Sequence, residues 1–187
     1  MRKKLGPTSY MFPMPCVLVS SGKTLKEANF ATIAYTGVVN GQPPMVYASL
    51  RPSRLTHSLV KSSGAFGLCI PTLELLAVTD AAGIVSGREV NKFEKFGLTP
   101  FLGEKTGVAM IRECPVCLEC KVVNSVDLPT HTVFIGEVKE TYVIAGLLDA
   151  DDRIRFEVAR FFGYGASAYW AVGEKVAEHG FSKDISG

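Results

Sequence analysis

The chain has 187 residues, with 20 Lys and Arg against 18 Asp and Glu, which gives a formal charge of +2. Hydrophobic residues make up 47% and charged residues 20%, so the composition excludes a disordered chain, and the charge balance gives no basis for binding nucleic acid. The length predicts one domain over residues 1–187, large enough to bury about 70% of the surface that the unfolded chain exposes.

The first third of the chain predicts strands. The apolar run over 16–20 is typical of a buried strand. A second strand is predicted over 30–39, which is rich in Thr, Ile, Val and Tyr and ends at Asn40-Gly41. Because an Asn-Gly pair favours positive φ at both positions, we expect a tight hairpin turn there. The returning strand over 45–50 follows Pro43-Pro44, since proline cannot donate to a strand ladder.

Short helices and strands alternate in the middle of the chain. A helix is predicted over 55–62, with Gly64 as its end. A strand follows over 65–70, and a second helix over 73–82. A third, short helix begins after the N-cap residue Asn91 and is expected to end at Gly97.

The last third predicts two long strands over 116–126 and 132–144, followed by an aromatic-rich tail over 154–170 that fits no single element. Many strands and few short helices favour a mainly β fold, a β-barrel with short flanking helices.

Targeting and membrane signals are weak. The charged start is interrupted at Pro7, where a signal peptide needs an apolar segment. The best membrane candidate, 65–87, contains Pro71, Glu74 and Asp80, each of which is costly in a bilayer. The five cysteines are odd in number and follow no disulfide spacing, which indicates reduced thiols. We therefore expect a cytoplasmic protein that binds no membrane.

Two polar clusters precede predicted helices. The first, Ser49-Leu-Arg-Pro-Ser-Arg-Leu-Thr56, carries two guanidinium groups, and the second, Ser86-Gly-Arg-Glu-Val-Asn-Lys-Phe93, carries a lysine that supplies a point charge. Backbone N–H groups at a helix start, aided by Arg or Lys, suit a phosphate dianion. Each cluster alone is more typical of a capped surface helix with solvated cations. The two together favour one anionic small ligand.

The segment Cys114-Pro-Val-Cys117-Leu-Glu-Cys120 resembles part of an iron–sulfur motif, so one alternative is a small metal-binding redox domain that uses these three cysteines. In a strand, however, residues three apart face opposite sides of the sheet. We therefore expect Cys114 and Cys120 to share a face, Cys117 to point away, and the cluster to bind no metal.

The order of several motifs resembles the flavin reductase-like family of FMN-binding split barrels, and within it the flavoredoxin group. The resemblance covers about 15–144 and the tail around Tyr164. Its motifs include Asn29-Phe-Ala-Thr-Ile-Ala-Tyr-Thr-Gly-Val38, Ser86-Gly-Arg-Glu-Val-Asn-Lys-Phe-Glu-Lys-Phe-Gly-Leu98 and His131-Thr-Val-Phe-Ile-Gly-Glu-Val138. It implies a Greek-key split barrel, usually a homodimer, that binds FMN without covalent attachment at the subunit interface.

By that resemblance, eleven residues surround the flavin: Asn29, Ala31, Thr32, Tyr35, Ser49, Leu50, Arg51, Thr56, Lys92, His131 and Tyr164. Thr56 and Lys92 are expected near the phosphate, with Arg51 close by. The segment 29–35 is expected to flank the ring, His131 to approach its reactive side, and Tyr164 to pack over it.

The sequence departs from the family pattern in three places. Tyr35 stands where Trp is more frequent, which preserves an aromatic wall. Cys69 stands in place of a common Asn, and Pro129-Thr130 in place of Gly-Asp. These last two differences leave the use of a nicotinamide cofactor open.

Two functions remain open on this basis. One is an NAD(P)H-dependent flavin or ferric reductase, and the other is an electron carrier that exchanges electrons with a protein partner. In both, the flavin performs the redox chemistry while the protein orients it and tunes its electrostatics. We accordingly predict no catalytic side chain.

Overall fold

The computed structural model describes residues 1–183 and is mainly β. The strands within this range are β1 Met14–Pro15, β2 Val17–Ser21, β3 Asn29–Ile33, β4 Thr36–Gly41, β5 Pro44–Leu50, β6 Ala65–Ile70, β7 Pro100–Leu102, β8 Ala109–Ile111, β9 Val116–Asp127, β10 Thr132–Val143, β11 Phe162–Gly165 and β12 Ala168–Ala171. The helices are α1 Leu55–Ser63, α2 Leu76–Ile84 and α3 Lys92–Phe96, with 3-10 turns at Leu73–Leu75 and Ala145–Leu147.

Seven strands form one antiparallel sheet in the order β3-β2-β6-β9-β10-β5-β4. Its two edge strands, β3 and β4, are consecutive in the chain and are joined only by Ala34-Tyr35. So short a link forces the sheet to curl until its edges meet, because each residue spans at most about 3.6 Å. The backbone N–H of Ser49 donates to the Tyr35 carbonyl over 3.0 Å at this junction. The predicted mainly β barrel with short helices is confirmed.

The continuous strand predicted over 30–39 is wrong, because the chain turns at Ala34-Tyr35 to pass from one sheet edge to the other. The hairpin after it is confirmed, but its turn lies at Gln42-Pro43. Gly41 pairs with Pro44, and a register shift between Val38 and Asn40 keeps the Asn-Gly pair in the strand. The irregular pairing of β4 with β5 therefore prevails over the preference of Asn40-Gly41 for a turn.

Local helix signals are confirmed at three ends. The Asn91 side chain accepts hydrogen bonds from the backbone N–H groups of Phe93 (3.0 Å) and Glu94 (3.3 Å), which caps α3. Helix α1 ends at Gly64 with φ 66°, and α3 ends at Gly97 with φ 65°. Both glycines adopt the left-handed conformation that terminates helices at low cost.

The aromatic tail forms structure that the sequence does not predict. Strands β11 and β12 pair with each other, and β1 pairs with β11 so that Met14 lies opposite Tyr164. The Tyr169 hydroxyl donates to Asp80 in α2 over 2.7 Å. This small sheet therefore places Tyr164 beside the main barrel.

No helix in residues 1–183 is long and apolar enough to span a bilayer.

Strand β2 is buried on both faces, as its apolar run predicts. Val19 packs in one core with Val60 and Phe66, whereas Leu18 packs with Phe30 in the core beneath α2 and α3. Residues that alternate along a strand point to opposite faces, so β2 separates the barrel interior from a second apolar layer.

A buried carboxylate holds the loop between β7 and β8. Glu119 has no exposed surface, and it accepts hydrogen bonds from the Tyr142 hydroxyl (2.9 Å), the Lys105 N–H (2.9 Å) and the Thr106 N–H. Burial raises the pKa of Glu119, but these hydrogen bonds outweigh it, so the pKa lies below its ordinary value. A Cβ atom at Gly103 would collide with the Glu119 carboxyl carbon, so this glycine permits the close approach.

Candidate functional site

A cleft of about 250 Å³ opens where β3 passes to β4 and β5 ends. Eight of the eleven predicted site residues line it: Ala31, Thr32, Tyr35, Ser49, Leu50, Arg51, His131 and Tyr164. Because these residues come from β3, β5, β11 and the start of β10, only the closure of the barrel brings them together. We call this the ring cleft, since its walls carry the aromatic side chains.

A second cleft of about 430 Å³ adjoins it along β3, and Asn29, Leu55, Leu59, Gly87 and Arg88 contribute to its lining. Asn29 donates through Nδ2 to the Thr56 hydroxyl over 2.8 Å, so these two predicted residues meet. Asn29 is 4% exposed, and its Oδ1 atom has no hydrogen-bond partner within residues 1–183. A buried acceptor of this kind is costly unless a donor reaches it.

Two cations lie close together at the C-terminal end of α2. The Lys92 ammonium donates to the Ala82 carbonyl over 2.7 Å, and the Arg54 guanidinium donates to the Gly83 carbonyl over 2.6 Å. Lys92 is only 2% exposed. Its burial, and then the charge of Arg54, lower the pKa of Lys92 to about 8. Across residues 1–183 neither cation forms a salt bridge with a carboxylate.

Lys92, the remaining predicted residue, lines neither cleft and is held instead against the C-terminal end of α2. Arg54 lines the ring cleft and is absent from the predicted set. The sequence analysis includes Arg54 as the second guanidinium of the Ser49–Thr56 cluster. The sequence around the cluster does not indicate which of its two arginines faces inward.

His131 stands at the mouth of the ring cleft. Its ring lies 5.5 Å from that of Tyr35, centroid to centroid, and its Nδ1 is 2.8 Å from the Thr130 hydroxyl. Burial, and then the charge of Arg51, lower the pKa of His131 below its ordinary value. The imidazole is therefore mainly neutral at pH 7 and able to donate or accept one hydrogen bond at each nitrogen, according to its tautomer.

A buried chain of side chains fixes the strand that begins after His131. The Thr132 hydroxyl donates to Asp127 Oδ1 over 2.7 Å, so His57 Nε2 donates to Thr132 over 2.9 Å. This contact ties α1 to β10, although His57 and Thr132 are 75 residues apart in sequence. Sequence reasoning missed it because no local pattern pairs these positions.

The predicted arrangement of the cysteines is wrong for Cys114, which does not share a face with Cys120, whereas Cys117 does point away from Cys120. Strand β9 begins at Val116, so strand alternation does not reach Cys114. Cys114 and Cys117 lie in one core with Cys69, while Cys120 packs in the other core. No group of three or more His, Cys, Asp or Glu side chains in residues 1–183 is arranged to hold a metal ion, so the metal-site alternative gains no support from this part of the chain.

The two clefts suit a planar ring that carries one phosphate. Aromatic and aliphatic side chains wall the ring cleft, uncompensated cations lie beside it, and the unpartnered Asn29 acceptor offers a place for a ligand hydroxyl. Charge-assisted hydrogen bonds to phosphate are about twice as strong as neutral ones. The residues present therefore fit a flavin mononucleotide in chemical terms.

The comparisons with known proteins agree with a flavin site in this chain. Residues 9–157 match the family model of the flavin reductase like domain. The structure of flavoredoxin from Desulfovibrio vulgaris (Miyazaki F) superposes with a TM-score of 0.91 at 30% identity, covering 98% of this chain and 100% of that chain. Flavoredoxin from Methanosarcina acetivorans superposes with a TM-score of 0.87 at 26% identity, covering 98% of both chains.

A ferric-chelate reductase (NAD(P)H) from Archaeoglobus fulgidus is 35% identical over 107 residues, which cover 57% of this chain and 62% of that protein. The expected Greek-key split barrel is confirmed by the flavoredoxin superpositions. Because the family match spans most of its length, the chain belongs to the flavin reductase-like domain family and is a flavin redox protein.

Proposed function

We propose that the chain binds FMN without covalent attachment and uses it to transfer electrons in the manner of a flavoredoxin. The observation that carries this proposal is the pair of adjoining clefts together with two uncompensated cations, Arg54 and Lys92, which are held at the C-terminal end of α2. Like charges held together out of water are unfavourable without a counter-ion. A phosphate dianion supplies that counter-ion.

Each part of FMN has suitable groups in this site. Thr32, Tyr35 and Tyr164 would hold the ring, and the backbone of Ser49, Leu50 and Arg51 closes the same cleft. Asn29 Oδ1 would accept from a ribityl hydroxyl. Thr56, Lys92 and Arg54 would hold the phosphate. The bound flavin supplies one- and two-electron chemistry, while His131 would hydrogen-bond at the ring and Ala31 would pack beneath it.

The carrier function is favoured by the flavoredoxin likeness, which covers nearly the whole chain. A second candidate, an NAD(P)H-dependent flavin or ferric reductase, is favoured by the identity to the ferric-chelate reductase. We choose FMN over FAD because the cation pair suits one phosphate. The five free thiols support a cytoplasmic location.

The experiment that tests this proposal is the visible spectrum of the purified protein, with chromatography of the released chromophore. We expect a yellow protein that releases FMN. A colourless protein that takes up no FMN on titration would refute the proposal, and release of FAD would refute the choice of cofactor. Under anaerobic conditions, bleaching by NADH or NADPH identifies a reductase, whereas bleaching only through a reduced protein partner identifies a carrier.

We also propose a homodimer. Large apolar side chains remain exposed near the clefts and on the tail, namely Tyr35 (47%), Phe156 (55%) and Trp170 (59%). Exposed apolar patches of this kind mark interfaces. Sedimentation velocity at micromolar concentration is expected to show a species of about twice the mass of the chain, and a stable monomer at that concentration would contradict the prediction.

A further inference from the structure

Three of the five cysteines converge where β6 pairs with β9. Cys69 and Cys117 lie directly opposite each other in this antiparallel pair, and Cys114 belongs to the same apolar core. The thiol of Cys69 interacts with those of both Cys114 and Cys117. Cys120 differs, since it lies opposite Phe66 and packs in the other core. The flavin site uses none of these thiols.

The strand register alone brings Cys69 and Cys117 within disulfide reach. Opposed residues of an antiparallel pair have Cα atoms about 4.5–5.5 Å apart, and disulfides require about 4.4–6.8 Å. Both side chains point into the same core, so the bond needs rotation of the side chains but little movement of the backbone.

A cavity large enough for a small oxidant borders two cysteines of this cluster. A cavity of about 150 Å³ is lined by Cys114, Cys117, Arg112 and Tyr142, among others, and a water molecule takes only about 30 Å³ of liquid volume. Cys69 lies behind these two cysteines, fully buried, with its sulfur 3.6 Å from the Ser20 hydroxyl.

The surroundings of Cys69 also favour its reactive form. Burial raises the pKa of Cys69, but hydrogen bonds from its neighbours, first Cys114 and Cys117 and then Ile111 and Ser20, outweigh the burial, and the pKa falls well below its ordinary value. The thiolate is the form of cysteine that attacks peroxides and disulfides. A thiolate at Cys69 has a second thiol directly opposite, ready to complete a disulfide.

We propose that Cys69, Cys114 and Cys117 form an oxidisable thiol site that reacts with hydrogen peroxide and closes a disulfide between Cys69 and Cys117. The Cys69 sulfur attacks one peroxide oxygen, the O–O bond breaks, and the departing hydroxide takes up the thiol proton as water. The Cys117 sulfur then attacks the sulfenic acid, so that an S–S bond forms, the S–O bond breaks and a second water leaves. The two thiols lose two electrons, and the peroxide gains them.

The source of the oxidant rests on the proposed function, because a reduced flavin passes two electrons to dioxygen and releases hydrogen peroxide. The thiol site itself does not depend on bound FMN. The test therefore adds hydrogen peroxide directly to the purified full-length protein, so that failure of the thiol site and failure of flavin binding are separate results.

After exposure to peroxide, free thiols are alkylated and the peptides are mapped by mass spectrometry. We expect two of the five thiols to be lost to a Cys69–Cys117 cross-link, about tenfold faster than Cys16 and Cys120 react. Cys120 lies opposite Phe66, and Cys16 lies between β1 and β2, so neither faces another thiol across a strand pair. Dithiothreitol should restore all five. Oxidation of all five at one common rate, or of none while the protein stays folded, would overturn the proposal.

Three variants test which sulfur is central. Cys69→Ala should abolish the cross-link, whereas Cys117→Ala should redirect it to Cys69–Cys114, because Cys69 is the common neighbour. Cys120→Ala is the matched control and should leave the cross-link unchanged. Loss of the cross-link in Cys120→Ala to the same extent as in Cys69→Ala would count against the site. The wild-type map decides the question if a variant fails to fold.

Discussion

Replacing Lys92 by Met is expected to weaken FMN binding about ten- to a hundredfold, because a hydrogen bond to a charged group contributes about 1.5–3 kcal/mol. Met preserves most of the buried volume and removes only the ammonium. Lys92 is already desolvated beside Arg54 and lacks a carboxylate partner. No carboxylate therefore competes with the FMN phosphate for the Lys92 ammonium. Fluorescence titration of the apoprotein with FMN measures the change.

Riboflavin and a second lysine provide the controls for this variant. Riboflavin lacks the phosphate, so its affinity should hardly respond to Lys92→Met. Lys95 lies in the same helix but is exposed, and Lys95→Met should leave FMN affinity within about twofold, as for most surface substitutions. An FMN affinity for Lys92→Met within about twofold of the wild type would contradict the role of Lys92. The phosphate site would then consist of Arg51, Arg54 and Thr56.

The affinity for FMN should also fall as the pH rises above 8. Free Lys92 has a pKa of about 8, and a bound phosphate dianion, which is fully charged above pH 7, raises that pKa. Binding therefore takes up a proton once the free ammonium has titrated, and the affinity decreases from pH 8 until the pKa of the bound state is reached. Riboflavin binding, and FMN binding to Lys92→Met, should show no such decrease.

Replacing Glu119 by Gln is expected to lower the free energy of unfolding by about 2–3 kcal/mol, because it weakens charge-assisted hydrogen bonds and turns one acceptor into a donor that faces Tyr142. The Lys105 and Thr106 N–H groups lose an ionised partner in a buried site. Urea unfolding at pH 7 measures the difference. Glu104→Gln, an exposed change in the same loop, should stay within about 0.5 kcal/mol.

The contribution of the Glu119 carboxylate to stability should decrease at acidic pH. The folded-state pKa of Glu119 lies below its unfolded value, so its contribution to stability is present above the unfolded pKa of about 4.3. It is lost as the pH falls through the folded pKa. The stability advantage of the wild type over Glu119→Gln should therefore shrink below about pH 4. An advantage that is independent of pH would mean that packing, and not ionisation, explains the effect of Glu119.

Features that depend on a few neighbouring residues were readable from the sequence. The Asn91 cap, the Gly64 and Gly97 helix ends and the apolar run of β2 are each specified by contacts within about one turn of chain or by alternation along one strand. The order of motifs in the sequence likewise indicates the family. Such preferences depend on residues that are close in sequence, so the tertiary structure seldom alters them.

Features that depend on closing the barrel were decided by the tertiary structure alone. The turn at Ala34-Tyr35 exists because consecutive strands occupy opposite sheet edges, and this closure gathers the ring cleft from distant segments. The inward position of Arg54, the burial of Lys92 against α2, and the pairing of Cys69 with Cys117 follow from which surfaces meet. Sequence patterns report the periodicity of one segment and not the identity of its partner, so these contacts become defined only when long-range packing compensates the entropy of loop closure.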